Sequence, residues 1–245
     1  MKYILLLFFP FYSFSQNTLL FSEYGEGSSN NKWIEIFNPT SQEVSLDDYR
    51  YNFCWNGCDS LQWEYSISFD SGFVLLPYET YLIVHHGADD VLLNASNQIT
   101  NILSNGNDVI ALLNFSTNEI IDIIGVFDSV SVDDGWDIGL NTNATMNQTL
   151  YRNSDVCSGN FGDWNLSNGS ILQSEWSINQ MNDFTNINIH TSDCKNTQSV
   201  VNLYDSEKKL IFVKDVLGRN VKNSLNKIQF YIYNDGTSEK RIVIE

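Results

Sequence analysis

Hydrophobic positions in this chain alternate in short runs and almost never recur every three to four residues. Trp33-Ile34-Glu35-Ile36-Phe37 sets the pattern. Ile34 and Ile36 fall on one face, Trp33, Glu35 and Phe37 on the other, and Asn38-Pro39 breaks the run, which predicts a half-buried strand ending in a turn. Leu19 to Tyr24 precedes it and Val44 to Tyr49 follows it. Further along, Trp63 to Phe69 alternates, and Phe73 to Leu76 leads through Pro77, which limits strand pairing, into Tyr81 to Val84. Asp108 to Leu113 and Glu119 to Gly125, joined by the polar turn Asn114 to Asn118, form the clearest hairpin. With no sustained helical period anywhere, the expected class is all-β with little helix.

The 245 residues suffice for one core domain and a small appendage. Residues 1–15 read as a secretory signal peptide: Lys2 supplies a positive start, Tyr3 to Tyr12 an apolar core, and Ser13-Phe14-Ser15 a small-residue cleavage site before Gln16. That run is too short for a membrane span, and no later stretch approaches the ~20 apolar residues a span requires. The mature chain is therefore expected to be exported and soluble, with no membrane span.

Charge divides the remainder. Between Gln16 and Asn202 only Lys32, Arg50, Arg152 and Lys195 oppose 24 acidic residues, whereas Leu203 to Glu245 carries eight basic residues and six acidic ones. The shift marks a second module. An acidic body lacks the Lys and Arg that displace counterions from a phosphate backbone, so nucleic acid is excluded as a partner.

All four cysteines follow the signal, and in an oxidising compartment disulfides are the default. Cys54 and Cys58 enclose Trp-Asn-Gly, a tight loop in which Gly57 can take a positive φ, so Cys54 is paired with Cys58 and Cys157 with Cys194. Sequence leaves the other pairings open, with zinc as a rival that lacks a second close Cys pair or a His-rich segment.

With these elements in place, the chain resembles the lamin tail domain as bacteria use it. Glu23 and the strand ending in Glu35, Asn38 and Pro39 match its opening; Leu76-Pro77 matches its apolar turn; Asn105, Gly106 and Asp108 match its Leu-x-Asn-Gly-x-Asp segment. Asp122 falls at the buried-looking Asp of its hairpin, and Leu150-Tyr151-Arg152 at its closing Leu-x-Arg. The resemblance implies an immunoglobulin-like β-sandwich (the lamin tail fold) over residues 16–152. It also implies a Trp- and Asn-rich extension over 153–194, folded back on the sandwich and stapled by Cys157–Cys194. After a linker at 195–202, residues 203–245 resemble the short C-terminal sorting segment of the type IX secretion system. Asp215, Leu217, Gly218 and Arg219 carry its Asp-x-Leu-Gly-Arg motif, and Tyr231, Asp235 and Gly236 its second motif. This small β-rich module implies the type IX translocon as a partner.

Few residues invite chemistry. His85-His86 ends a strand, where neighbours point to opposite faces. His190 reads as a packing residue. Glu23 and Glu35, on adjacent strands, have the character of a glycosidase pair, but a structural hydrogen-bonding role is the expectation. Asp133, Asp134 and Asp137, around Gly135, make the best calcium candidate, against the plainer reading of a solvated acidic turn. Trp55, held in the disulfide loop, is the aromatic expected at the surface. The expected function is an exported, non-catalytic binding or adhesion module, whose partner is a surface protein or glycan; the rival is an accessory domain or a calcium-assisted extracellular hydrolase using the acidic loop.

Overall fold

The computed structural model describes residues 18–58, 61–103, 105–127, 134–169, 173–194, 210–219, 221, 227–233 and 238–242. They fall in two compact units, one within Met1–Gln198 and one within Ser199–Glu245. The signal-like stretch 1–15, the linker 195–202, and Asp133, Asp235 and Gly236 lie outside the described residues.

In chain order the first unit contains β1 (Leu20–Glu26), β2 (Lys32–Phe37), β3 (Val44–Ser45), β4 (Tyr49–Cys54), β5 (Tyr65–Ser68), β6 (Val74–Leu75) and β7 (Thr80–His85). Helix α1 (Asp90–Ala95), β8 (Gln98–Thr100), β9 (Val109–Asn114), β10 (Ile120–Ile124), β11 (Gln148–Arg152), helix α2 (Trp164–Asn168) and β12 (Trp176–Gln180) follow. One sheet has the order β12-β11-β1-β2-β7-β8 and the other β10-β9-β4-β5, with β3 and β6 forming a small ribbon. The inner faces meet over Phe21, Ile34, Ile36, Tyr51, Phe53, Tyr81, Leu112 and Leu150. This is an immunoglobulin-like sandwich, nearly all β, as the alternating pattern predicts. Both expected bridges, Cys54–Cys58 and Cys157–Cys194, are present.

Three features depart from expectation. β2 is buried on both faces, because the outer face holding Trp33 and Phe37 is itself covered; an alternating run marks exposure of one face only when nothing else packs there. Residues 153–194 do more than fold over the sandwich, since β12 joins the first sheet, with Arg152 opposite Trp176 and Tyr151 opposite Ser177. β8 pairs with β7 in parallel through the α1 crossover, and its three residues are too short to announce themselves.

The Asn38-Pro39 turn is built by one side chain. Asn38 Nδ2 donates to the carbonyls of Gln42, Leu75 and Leu76, and its Oδ1 accepts from the Thr40 amide and hydroxyl. Asp122 closes the sandwich corner in the same manner, accepting from the amides of Phe21, Ile123 and Asn160 and from Arg152 at 3.0 Å. Gly106, at φ +92°, stands so near Met146 that a Cβ would lie 2.9 Å from its Cα. Asp108 beside it caps the amides of Asn56 and Asn105, at 2.7 Å each.

The second unit is the antiparallel sheet β13 (Leu210–Asp215), β14 (Ile228–Tyr233) and β15 (Ser238–Ile242), with β14 in the centre. The Asp-x-Leu-Gly-Arg motif forms the loop after β13. Asp215 accepts from the Leu217 and Arg219 amides and from the Arg219 guanidinium, while Gly218 takes φ +79°. The Arg219 hydrogen bonds hold the Asp215 carboxyl below its ordinary range. Leu217 is left exposed at the tip, and Tyr231 is buried under Arg241, 4.7 Å away.

Candidate functional site

The outer face of the six-stranded sheet carries the polar chemistry. A β-bulge between Phe21 and Glu23 resets the register so that Glu23 lies directly opposite Glu35, and Tyr151 is Glu23's partner on the other side. Leu82 flanks Glu35, and Ser177 flanks Tyr151. A single row across five strands therefore holds two carboxyls, a phenol and a hydroxyl.

Over this row runs a strap, residues 181–194. At one end Asn182 accepts from the Ser28 amide and donates to the Ser28 hydroxyl. At the other, the Asp193 amide donates to the Ser154 carbonyl, and Cys194 is bonded to Cys157. Between them Phe184 meets Trp33 edge-on at 5.1 Å and His190 lies 4.5 Å from the Phe37 ring. Trp33 in turn lies over Gly25, where a Cβ would come within 2.3 Å of the indole; only glycine allows the approach. Tyr151 donates to the Asp183 carbonyl at 3.0 Å.

The strap leaves a cleft of about 450 Å³, with Glu23 and Glu35 at its floor and Asn186, Ile189 and His190 on the strap side. Glu35 accepts from the Ser22 hydroxyl and from the Asn188 amide, each at 2.7 Å. Glu23 accepts from the Trp33 indole at 2.7 Å, and among the described residues no donor reaches its Oε2. Both residues are 1 % exposed. Burial raises both carboxyls, Glu35 to about 7 and Glu23 to about 9, the latter raised further by Glu35 itself. Two carboxyls opposed across neighbouring strands resist double ionisation. His190 Nε2 is buried without a partner, and burial holds its imidazole down to about 4, leaving it neutral. The guanidinium at the cleft, that of Arg152, has its charge compensated by Asp122 at 3.0 Å and Glu175 at 2.7 Å through its two terminal nitrogens, while its Nε is buried without a partner. The cleft thus offers acceptors and carboxyls, with no cation free to meet an anion.

Of the other candidates, Asp134 and Asp137 both turn toward Asn143, at 3.5 Å from its side-chain nitrogen and 2.9 Å from its amide respectively. Asp133 lies outside the described residues, and among those described no three His, Cys, Asp or Glu residues converge as metal ligands. β7 ends at His85, so strand alternation does not separate the two histidines; their rings lie 4.4 Å apart. Trp55 is 47 % exposed, as the loop suggested, and leans on Tyr65 at 5.5 Å. Trp136, by contrast, is buried and donates to the Asp108 carbonyl. The strap residues that complete the cleft, Asn186, Asn188 and His190, had no local signal beyond polarity. The expectation that residues 153–194 fold back on the sandwich anticipates a cover, but not which face or side chains it meets.

Residues 13–128 match the family model of the lamin tail domain. The match runs from before β1 through β10, and so includes Glu23, Glu35, Asn38, Asp108 and Asp122. It ends ahead of β11, β12 and the strap, so the matched portion supplies the floor of the cleft and the following residues supply its far wall and roof. No curated protein and no solved structure matches the chain. No helix among the described residues is long and apolar enough to cross a membrane.

Proposed function

We propose that the protein is an exported bacterial binding or adhesion module, non-catalytic, carried by a lamin tail sandwich and delivered by its C-terminal unit. The observation that carries the binding reading is the cleft: a concave, polar site roofed by a disulfide-anchored strap. Export rests on the signal-like N-terminus and on two disulfides, which persist in oxidising compartments. The Asp215–Arg219 clasp, which holds the Leu217 tip forward, supports recognition of that loop by the type IX translocon. A surface protein or glycan is the class of partner.

An acid–base hydrolase is the reading the glutamate pair would otherwise favour. Glycoside cleavage needs one carboxylic acid and one carboxylate. Burial favours the protonated form of both, and Glu35, raised to about 7, is only partly ionised at neutral pH, which weighs against that division of roles.

Deleting residues 203–245 tests delivery. The truncated protein should lose its signal peptide, cross the inner membrane and accumulate in the periplasm, while the full chain reaches the cell surface or medium. Appearance of the truncated form outside the cell at the full-chain level would refute the role of the C-terminal unit.

A further inference from the structure

We propose that the cleft beneath the strap binds a primary ammonium group, seated between Glu23 and Glu35 and exchanged for a proton. The inference deepens the binding-module reading and rests on it.

The ligand class follows from what the cleft lacks as well as what it holds. An anion would find no uncompensated cation: the Arg152 guanidinium, although its Nε lacks a partner, is neutralised by Asp122 and Glu175, both of which would repel an anion, and His190 is neutral. An apolar ligand would strip the floor carboxyls of their remaining hydration without replacing it. A donor-only group suits the site. The Oε2 of Glu23, which no described donor reaches, is able to accept, and His190 on the strap side is a neutral ring that brings no competing charge. An ammonium is compact, carries three N–H donors and accepts nothing. Its charge also removes the reason the two carboxyls cannot ionise together, since a cation between them turns a repulsive pair into two attractive ones. Exposed Ile189, on the strap side of the cleft, offers apolar surface to an alkyl stem, as stems of charged side chains pack elsewhere. At long range the acidic body, with 24 carboxylates against four basic residues between Gln16 and Asn202, concentrates cations near the site.

The groups that face the floor fix the sign of the pH effect. On the sheet they are Glu23, Glu35, Tyr151 and the paired Arg152; on the strap they are Asp183 and neutral His190. The empty cleft keeps a proton on the carboxyl pair at neutral pH. When the ammonium enters, that proton leaves to solvent. Affinity should therefore rise about tenfold per pH unit where Glu23 alone gives up a proton, from about pH 7 to about 9, and more steeply below about pH 7, where Glu35 is protonated as well; an alkyl ammonium stays charged throughout. A free diamine and a lysine side chain present the same group.

The test is calorimetric titration of the intact, oxidised protein with 1,4-diaminobutane and, separately, with Nα-acetyl-lysine methylamide, using 1,4-butanediol as the uncharged control. The expected result is saturable binding of at least one amine, none of the diol, tightening from pH 6 to 8, and a heat that varies with buffer ionisation enthalpy because a proton is released. Which amine binds separates a free small molecule from a lysine side chain. Glu23→Gln should weaken binding at least tenfold at pH 8 while the melting temperature is held or raised, and Glu35→Gln should do the same. The inference is overturned if neither amine binds at pH 8, if Glu23→Gln binds as well as the parent, or if affinity grows as pH falls. Binding of the diol with no dependence on Glu23 would overturn the ammonium while leaving a binding module.

Discussion

Glu23 and Glu35 are the residues on which the chemistry of this molecule turns, and their burial has a thermodynamic consequence. Each carboxyl is raised above its unfolded value, so the folded state holds protons that the unfolded chain would release. Their contribution to stability is complete below about pH 4.5 and is lost as pH climbs through about 7 for Glu35 and about 9 for Glu23. His190 acts in the opposite sense: held down to about 4, it contributes above its ordinary value of 6.5 and loses that contribution as pH falls. The melting temperature should therefore peak in mildly acidic buffer and decline toward pH 9. Glu35→Gln should flatten the alkaline limb, and by pH 9 the variant should be the more stable protein. The shift of Glu35 from 4.5 to about 7 corresponds to on the order of 3 kcal/mol. Equal slopes for the two proteins in thermal melts between pH 4.5 and 7 would show that Glu35 is already ionised.

At this scale much was legible beforehand. Asn38, Asp108 and Asp122 stand out as polar residues set in apolar or turn contexts, and each proves to be a local hub whose acceptors satisfy backbone amides that no sheet reaches. His190 was not legible as part of a site. The residues that give it its setting, Phe37 and the floor carboxyls Glu23 and Glu35, lie more than a hundred positions away, and its flanking residues Ile189 and Thr191 give no sign of them.

Among the elements, β2 carries the lesson. Its alternation correctly separates the face of Ile34 and Ile36 from that of Trp33, Glu35 and Phe37, yet periodicity reports direction and not cover. What buries the second face is the strap, held in place by the Cys157–Cys194 bridge across a separation of 37 residues. Loop-closure entropy gives a bridge of that span about 4 kcal/mol, against about 2 kcal/mol for the four-residue separation of Cys54–Cys58. Replacing Cys157 and Cys194 by Ser should thus lower stability roughly twice as much as replacing Cys54 and Cys58. It should also raise hydrogen exchange at the strap amides first, Asn188 included. Equal losses for the two pairs, or unchanged exchange in the strap, would mean that the strap is held by its ring contacts and hydrogen bonds alone. β8 and β12 escaped the pattern for simple reasons. One has only three residues, and the other sits in an Asn- and Ser-rich stretch whose pairing depends on β11.

For the molecule as a whole, the charge boundary near residue 203 falls close to the division between the two compact units, after Gln198. The match to the lamin tail model ends at residue 128, well inside the first unit, so the matched strands provide the frame and the last third of that unit completes the cleft. This explains why the fold could be read from the sequence while the site could not. The fold depends on local alternation and turns, whereas the site is assembled from β1, β2, β11, β12 and the strap, and exists only when all are docked. An acidic body, a carboxyl floor and an engaged guanidinium all lead to the same expectation of a cationic ligand. The most direct test is a carboxyl-detected NMR titration of Glu23 and Glu35 in the intact protein, with and without 1,4-diaminobutane. Both carboxyls should titrate above pH 6.5 in the free protein, and their midpoints should fall when the amine is present. Midpoints near 4.5 that ignore the amine would contradict both the buried pair and the site built on it.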